Sequence, residues 1–178
     1  MKTRIVAVLL TFFALQFAIS CCKDFRYFDF DEMEHSLSST EIGQQDSLWI
    51  WLFPINIRYL SMHLEGLGFS PALSFKCDEG WGGMKYPFNT IAIVSNEDFD
   101  DNHPAGQSLN DLFLVRIFKG NGNFEWVPLN SNMATNSGDI QLVIAERPTL
   151  AKQHVFTIKL VKMNDEEITL ETEAITWE

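Results

Sequence analysis

The segment Asp98-Phe99-Asp100-Asp101-Asn102-His103 is the densest run of metal-ligand types in this 178-residue chain. Ca²⁺ takes about six to eight oxygens, which Asp and Asn side chains and backbone carbonyls supply. An EF-hand counted from Asp98 requires Gly at position 103 and Glu at 109, where this chain has His103 and Leu109. The run is therefore expected to be a solvated loop whose short polar side chains bond their own backbone. Calcium held by Asp98, Asp100, Asp101 and Asn102 is the alternative, and no other cofactor is expected. The histidines, His35, His63, His103 and His154, have no zinc-ligand spacing, and no C-x-x-C accompanies them.

Trp49, Trp51, Trp81 and Trp126 have the chemistry to stack on sugars, because a flat apolar ring matches the C–H face of a pyranose. Trp81 is the first choice, since Gly80, Gly82 and Gly83 place it in a loop. Core packing is the alternative for these rings, and it is expected of Trp49 or Trp51. The chain lacks G-x-S-x-G, H-E-x-x-H and a phosphate-cradling glycine loop. Nothing singles out two of its 24 acids as a glycosidase pair. No catalytic residue is assigned, and an enzyme is not expected.

The formal net charge is −11. A nucleic-acid partner is not expected, since phosphate contacts need clustered Lys and Arg. Lys2 and Arg4 are followed by an apolar run from Ile5 to Ile19, broken only by Thr11 and Gln16. Such a run is short of the roughly 20 residues of a spanning helix and fits a signal peptide, residues 1–20.

After it comes Ala18-Ile19-Ser20-Cys21-Cys22, which resembles bacterial lipoprotein signals. In these an aliphatic residue stands three before the lipidated cysteine, with small residues beside it. Cys21 has Ser20 before it and Ala18 at the aliphatic position; Cys22 has Ile19 there but Cys21 in the small position. The resemblance implies lipidation at Cys21, with Cys22 the alternative. The membrane is then a partner through the acyl chains, each buried CH₂ contributing about 0.8 kcal/mol. Cys77 could form a disulfide with the spared cysteine, Cys22 if Cys21 is lipidated, in an oxidising compartment. Lys23-Asp24 resembles the short charged tag of surface-exported Bacteroidetes lipoproteins. An outer-membrane lipoprotein is expected, facing the periplasm or the cell surface.

The elements that must position these residues read as strands. Residues 21–178 are expected to form one domain on a short tether. Phe25–Phe30 is aromatic and partly alternating, a first strand or the tether. Ser36–Gln45 reads as loop. Ser47–Phe53 is apolar on both parities, which suits a strand covered on two sides, and Pro54 punctuates it. Ile55–Leu64 continues as a strand. Asn89–Ser95, Leu112–Phe118, Phe124–Leu129 and Asp139–Ala145 are short strands, and Gly120-Asn121-Gly122-Asn123 is turn chemistry. Ser108, with Asp111 three residues on, can cap one helical turn. His154–Lys162 alternates cleanly, Asn164-Asp165 marks a turn, and Glu167–Trp177 returns with Ile168, Leu170, Thr172, Ala174 and Thr176 on one face. The expected fold is an all-β, antiparallel immunoglobulin-like sandwich with at most one or two short helices. A closed barrel is the alternative.

Three segments together resemble a family of uncharacterised Bacteroidetes lipoproteins, domains of unknown function with a β-sandwich fold. They are Ile91–Phe99, His103–Gly106 and Ser108–Phe113, with Cys77-Asp78 upstream. The resemblance implies an export route and a fold, and carries over no active residue. A binding or interaction module for a glycan or a protein is the first functional expectation. A structural accessory of a cell-envelope complex comes second, and a hydrolase acting on glycan third. The oligomeric state does not follow from the sequence.

Overall fold

The fold is described from a computed structural model, for residues 27–60, 82–120, 122–129, 138–144 and 146–178. The signal peptide, Cys21, Cys22, Cys77 and Trp81 lie outside these residues. Thirteen strands are assigned and, among the described residues, no helix. They are β1 (Tyr27–Asp29), β2 (Glu32–Leu37), β3 (Glu41–Ile42), β4 (Leu48–Ile55), β5 (Arg58–Leu60), β6 (Phe88–Ser95), β7 (Phe113–Gly120), β8 (Asn123–Pro128), β9 (Ile140–Ile144), β10 (Gln153–His154), β11 (Phe156–Lys162), β12 (Glu167–Glu171) and β13 (Ile175–Trp177).

The chain divides into two compact units. The smaller holds β1 and β5, paired antiparallel from Tyr27↔Leu60 to Asp29↔Arg58. Gly83 to Lys85 runs along β1, accepting from Phe28 N–H at 3.1 Å and donating to Phe28 O at 2.8 Å.

The larger unit, Phe30–Ile57 with Tyr86–Glu178, is a β-sandwich. One layer is a five-stranded sheet in the order β2-β4-β9-β7-β8; the other is β12-β11-β6, and all neighbours in both are antiparallel. A third sheet, β10-β13-β3, includes one parallel pair, β13 with β3. The all-β class read from the sequence holds. Alternation gives each strand one buried row: Leu48, Ile50 and Leu52 on β4, Leu142 and Ile144 on β9, Ile91 and Ile93 on β6, and Phe156, Ile158 and Leu160 on β11. Phe113 of β7 and Phe156 of β11 meet edge to face across the layers, 5.9 Å between centroids. Truncating such a ring to Ala costs about 3–5 kcal/mol. Lys162, at the end of β11, is buried too; its Nζ donates to Phe30 O and to Glu166 Oε2 and lies 4.9 Å from the Phe30 ring centre.

Five expectations are corrected. Ile55–Leu64 does not continue the strand: β4 ends at Ile55, Asn56 takes φ +54°, β5 covers only Arg58–Leu60, and residues 61–64 lie outside the described ones. Residues 36–45 are not all loop: β2 runs to Leu37, and β3 sits at Glu41–Ile42. Pro54 does not end its strand. β9 pairs with β4 only as far as Leu52↔Ile140, so Pro54 faces Met33 of β2 and has no ladder partner in β9 that its missing N–H would deprive. Glu167–Trp177 is not one strand. It breaks at Thr172–Ala174, where Thr172 N–H donates to Phe156 O and the Thr172 hydroxyl Oγ1 accepts from Phe156 N–H, and resumes in another sheet with Ile175 and Trp177 buried. Ser108 caps no helix; its Oγ accepts from Asn110 N–H, and a tight turn follows with Leu112 N–H on Leu109 O.

The segments Ile91–Phe99, His103–Gly106 and Ser108–Phe113 come together along one sheet edge. β6 is the last strand of its sheet, and an uncovered edge recruits other chains. Here Gly106 N–H bonds Ser95 O, Leu109 N–H bonds Ile93 O, and the buried Asn110 amide accepts from Ile93 N–H at 3.0 Å and donates to Ile91 O at 2.7 Å. The edge is closed by its own loop.

Candidate functional site

Side chains on the outer face of the five-stranded sheet follow from the strand parities. β4 contributes Trp49, Trp51 and Phe53; β9 contributes Gln141 and Val143; β7 contributes Leu114, Arg116 and Phe118; and β8 contributes Phe124, Trp126 and Pro128. Register aligns them into rows. One row runs Ser36, Trp51, Gln141, Arg116, Trp126, and the next runs Trp49, Val143, Leu114, Pro128.

This face is not covered. Trp49 and Trp51 are 46% and 47% exposed, and Phe118 and Phe124 63% and 55%. The sequence expectation that both faces of β4 are covered, with Trp49 or Trp51 in the core, is therefore overturned. Both parities of β4 are apolar, but only the Leu48-Ile50-Leu52 row has a layer over it. Among the described residues the core tryptophan is Trp177, 4% exposed, packed against Phe99, His154 and Phe156.

The exposed rings hold one another at steep angles. Trp49 and Trp126 meet edge to face at 5.1 Å, Trp51 and Phe53 at 5.8 Å, and Phe118 and Phe124 at 5.3 Å. Arg116 lies 3.9 Å over the Phe124 ring and donates from Nη1 to Gln141 Oε1 at 2.7 Å. A pair of planar polar groups thus sits between Trp51 and Trp126. Phe118, Phe124, Arg116 and Gln141 were not singled out in the sequence. The available signal was the alternation Leu114-x-Arg116-x-Phe118 facing Phe124-x-Trp126-x-Pro128 across a Gly-Asn-Gly turn. Gly122 adopts φ +77° there, which favours glycine.

The acidic loop does different work. Asp98 Oδ1 accepts from Ala105 N–H at 2.7 Å. Asp100 Oδ1 accepts from Asn102 N–H and His103 N–H, and both its oxygens lie 2.9 Å from His103 Nδ1. His103 Nε2 faces Asp111 Oδ2 at 3.1 Å. Burial opposes a charged His103, but the hydrogen bonds and charges of Asp100 and Asp111 outweigh it and raise its pKa. Burial likewise opposes the Asp100 carboxylate, yet bonds from His103 and Asn102 lower its pKa. Asp98 and Asp100 thus face N–H donors, and Phe99 between them is a buried anchor. Asp101 and Asn102 are exposed.

Among the described residues, one serine–histidine pair lies in the core. His154 Nε2 bonds Ala151 O at 3.0 Å, which makes Nδ1 the acceptor from Ser95 O–H at 2.8 Å. Burial lowers the His154 pKa; the Ala151 carbonyl and Glu97 pull the other way without prevailing. Both residues are buried, and the pair is part of the core. Among the described residues no helix is long and apolar enough to cross a membrane. No protein-family model, no curated protein and no solved structure matches the chain.

Proposed function

We propose that this chain is an exported, lipid-anchored binding module whose ligand surface is the outer face of the five-stranded sheet. The observation that carries the reading is the exposure of Trp49 and Trp51 beside Trp126, Phe118 and Phe124 on a strand-built face. Leaving several large rings in water forgoes burial worth about 25 cal/mol per Å² of apolar area, and a contiguous patch of this kind marks an interaction site. The rings stand on paired strands and brace one another, so little ordering is needed on binding.

The reading of an accessory with a plain apolar face is less favoured, because Arg116 and Gln141 stand bonded at the middle of the patch. Hydrolysis is not proposed: His154 is sealed in the core, and both nitrogens of His103 face carboxylates. The anchor rests on the Ala18–Cys22 sequence, and its outward side on Lys23-Asp24.

Two experiments test this. Mass spectrometry of the N-terminal peptide is expected to find a diacylglycerol adduct on Cys21 or Cys22; an unmodified peptide through Ile19-Ser20-Cys21 overturns the anchor. Wild-type and Trp51→Ala full-length protein are then compared against panels of polysaccharides, glycoproteins and envelope proteins. Ligands captured by the wild type are expected to be lost by the variant. Equal capture by both places the binding surface elsewhere.

A further inference from the structure

We infer that the ligand of this face is a neutral polysaccharide segment, lying across the strands over Trp51, Gln141, Arg116 and Trp126. The inference rests on the proposal that this face binds, and adds what it binds.

Geometry comes first. With strands about 4.8 Å apart, the face from β4 to β8 spans about 14 Å at its backbones. The Trp126 indole reaches back over this width to Trp49, so the aromatic surface continues across the strands over more than one pyranose ring, which suits an oligomer. Two kinds of surface lie side by side, as a pyranose chain needs: indoles of Trp51 and of the Trp49–Trp126 pair for C–H faces, and the Arg116–Gln141 guanidinium–amide pair of the same row for ring-edge hydroxyls. Gln141 brings both donor and acceptor capacity, and the Arg116 guanidinium has further N–H groups beyond the one bonded to Gln141. Hydroxyls use both kinds.

Charge selects among polymers. The cation at the centre of the face is Arg116, which repels a cationic ligand. The acids Glu32 and Glu34 stand on the marginal strand β2. The chain as a whole carries −11, which repels a polyanion approaching from solution. A neutral polymer satisfies both conditions. The rings are inclined 57–88° to their partners, so the face is corrugated rather than flat. This shape suits a single hydrated chain better than the flat surface of a crystalline fibre.

The test is affinity electrophoresis of the full-length protein in mild detergent, through native gels cast with soluble polymer. Three neutral probes are a mixed-linkage β-glucan, a galactomannan and an α-glucan; polygalacturonate is the anionic one. At least one neutral polymer is expected to retard the wild type, and polygalacturonate is not. Trp51→Ala is expected to weaken the retardation by about tenfold or more, as loss of a central aromatic contact does. Gln141→Ala changes a half-exposed polar side chain, keeps the fold intact, and is expected to weaken it as well. Lys159→Ala, on the outer face of the other sheet, leaves it unchanged. Retardation by none of the neutral polymers, or equal retardation of Trp51→Ala, overturns the inference. If Trp51 is instead needed for self-association in sedimentation or for capture of a protein, the glycan inference fails while the binding face stands. If Trp51→Ala changes none of these properties, both fail.

Discussion

Trp49 on β4 and Trp126 on β8 touch edge to face, 5.1 Å between ring centres, although β9 and β7 lie between their strands. Register places Val143 and Leu114 beside Trp49 on those two intervening strands, one row over from Trp126. Val143 is accordingly buried on a face that is otherwise open. The pair thus braces the outer face of the sheet.

That bracing is worth a modest amount. Trp49→Ala is expected to lose the ring pair, about 0.5–1.5 kcal/mol beyond the area term. Trp177→Ala, which empties a core site, is expected to cost about 3–5 kcal/mol. Urea midpoints of the two variants check the contrast. Equal losses would mean that Trp49 is a core residue after all.

Asn110 closes the β6 edge with one side chain. Asn110→Ala orphans Ile93 N–H and Ile91 O, each at a cost of about 1–3 kcal/mol if it stays buried. Hydrogen exchange at the Ile93 amide is expected to accelerate well beyond that at Ile158, in the middle of the sheet. Unchanged exchange at Ile93 would contradict the edge assignment.

The loop carrying His103 is expected to be pH-dependent. The raised pKa of His103 means that its contribution is complete below the unfolded value, near 6.5, and is lost as pH rises through the folded value. The lowered pKa of Asp100 means that its contribution is present above about 3.9 and is lost as pH falls through the folded value. The loop is therefore tightest from about pH 4 to 6.5. NMR titration of the His103 ring is expected to give a midpoint above that of a free histidine, and Asp111→Asn to lower it. A midpoint below the free value contradicts the carboxylate contacts.

His154 has the opposite sign. Its folded pKa is lowered, so below about 6.5 the unfolded chain binds a proton that the folded one refuses. Stability is then lost as pH falls from 6.5 toward the folded value. A buried aromatic ring that cannot take that proton, His154→Phe, is expected to flatten this part of the profile while lowering stability, because the Ser95 O–H loses its acceptor and the Ala151 carbonyl its donor. An acid slope that persists unchanged in the variant would assign it to other groups.

How much was legible in the sequence depended on what decides each feature. The alternation of β11 sorts Phe156, Ile158 and Leu160 inward and Thr157 and Lys159 outward by local parity alone, and it was read correctly. β2 was missed because Glu32, Glu34 and Ser36 face outward and His35 inward, leaving little apolar signal. The change of sheet at Thr172–Ala174 is a tertiary event, with no composition shift to announce it. For β4 the two apolar rows look alike in sequence, and only the presence of a second layer over one of them separates core from surface. The candidate site was therefore half visible: its tryptophans were named, but not their exposure or the Arg116–Gln141 pair between them.

Oxidative footprinting of the full-length protein, read residue by residue in its native envelope and after purification, tests the binding face most directly. Trp49 and Trp51 are expected to oxidise several times more slowly in the envelope, where the ligand is present, while Met163 on a distant exposed turn oxidises alike in both. Equal oxidation of Trp49 and Trp51 in the two states would contradict the account.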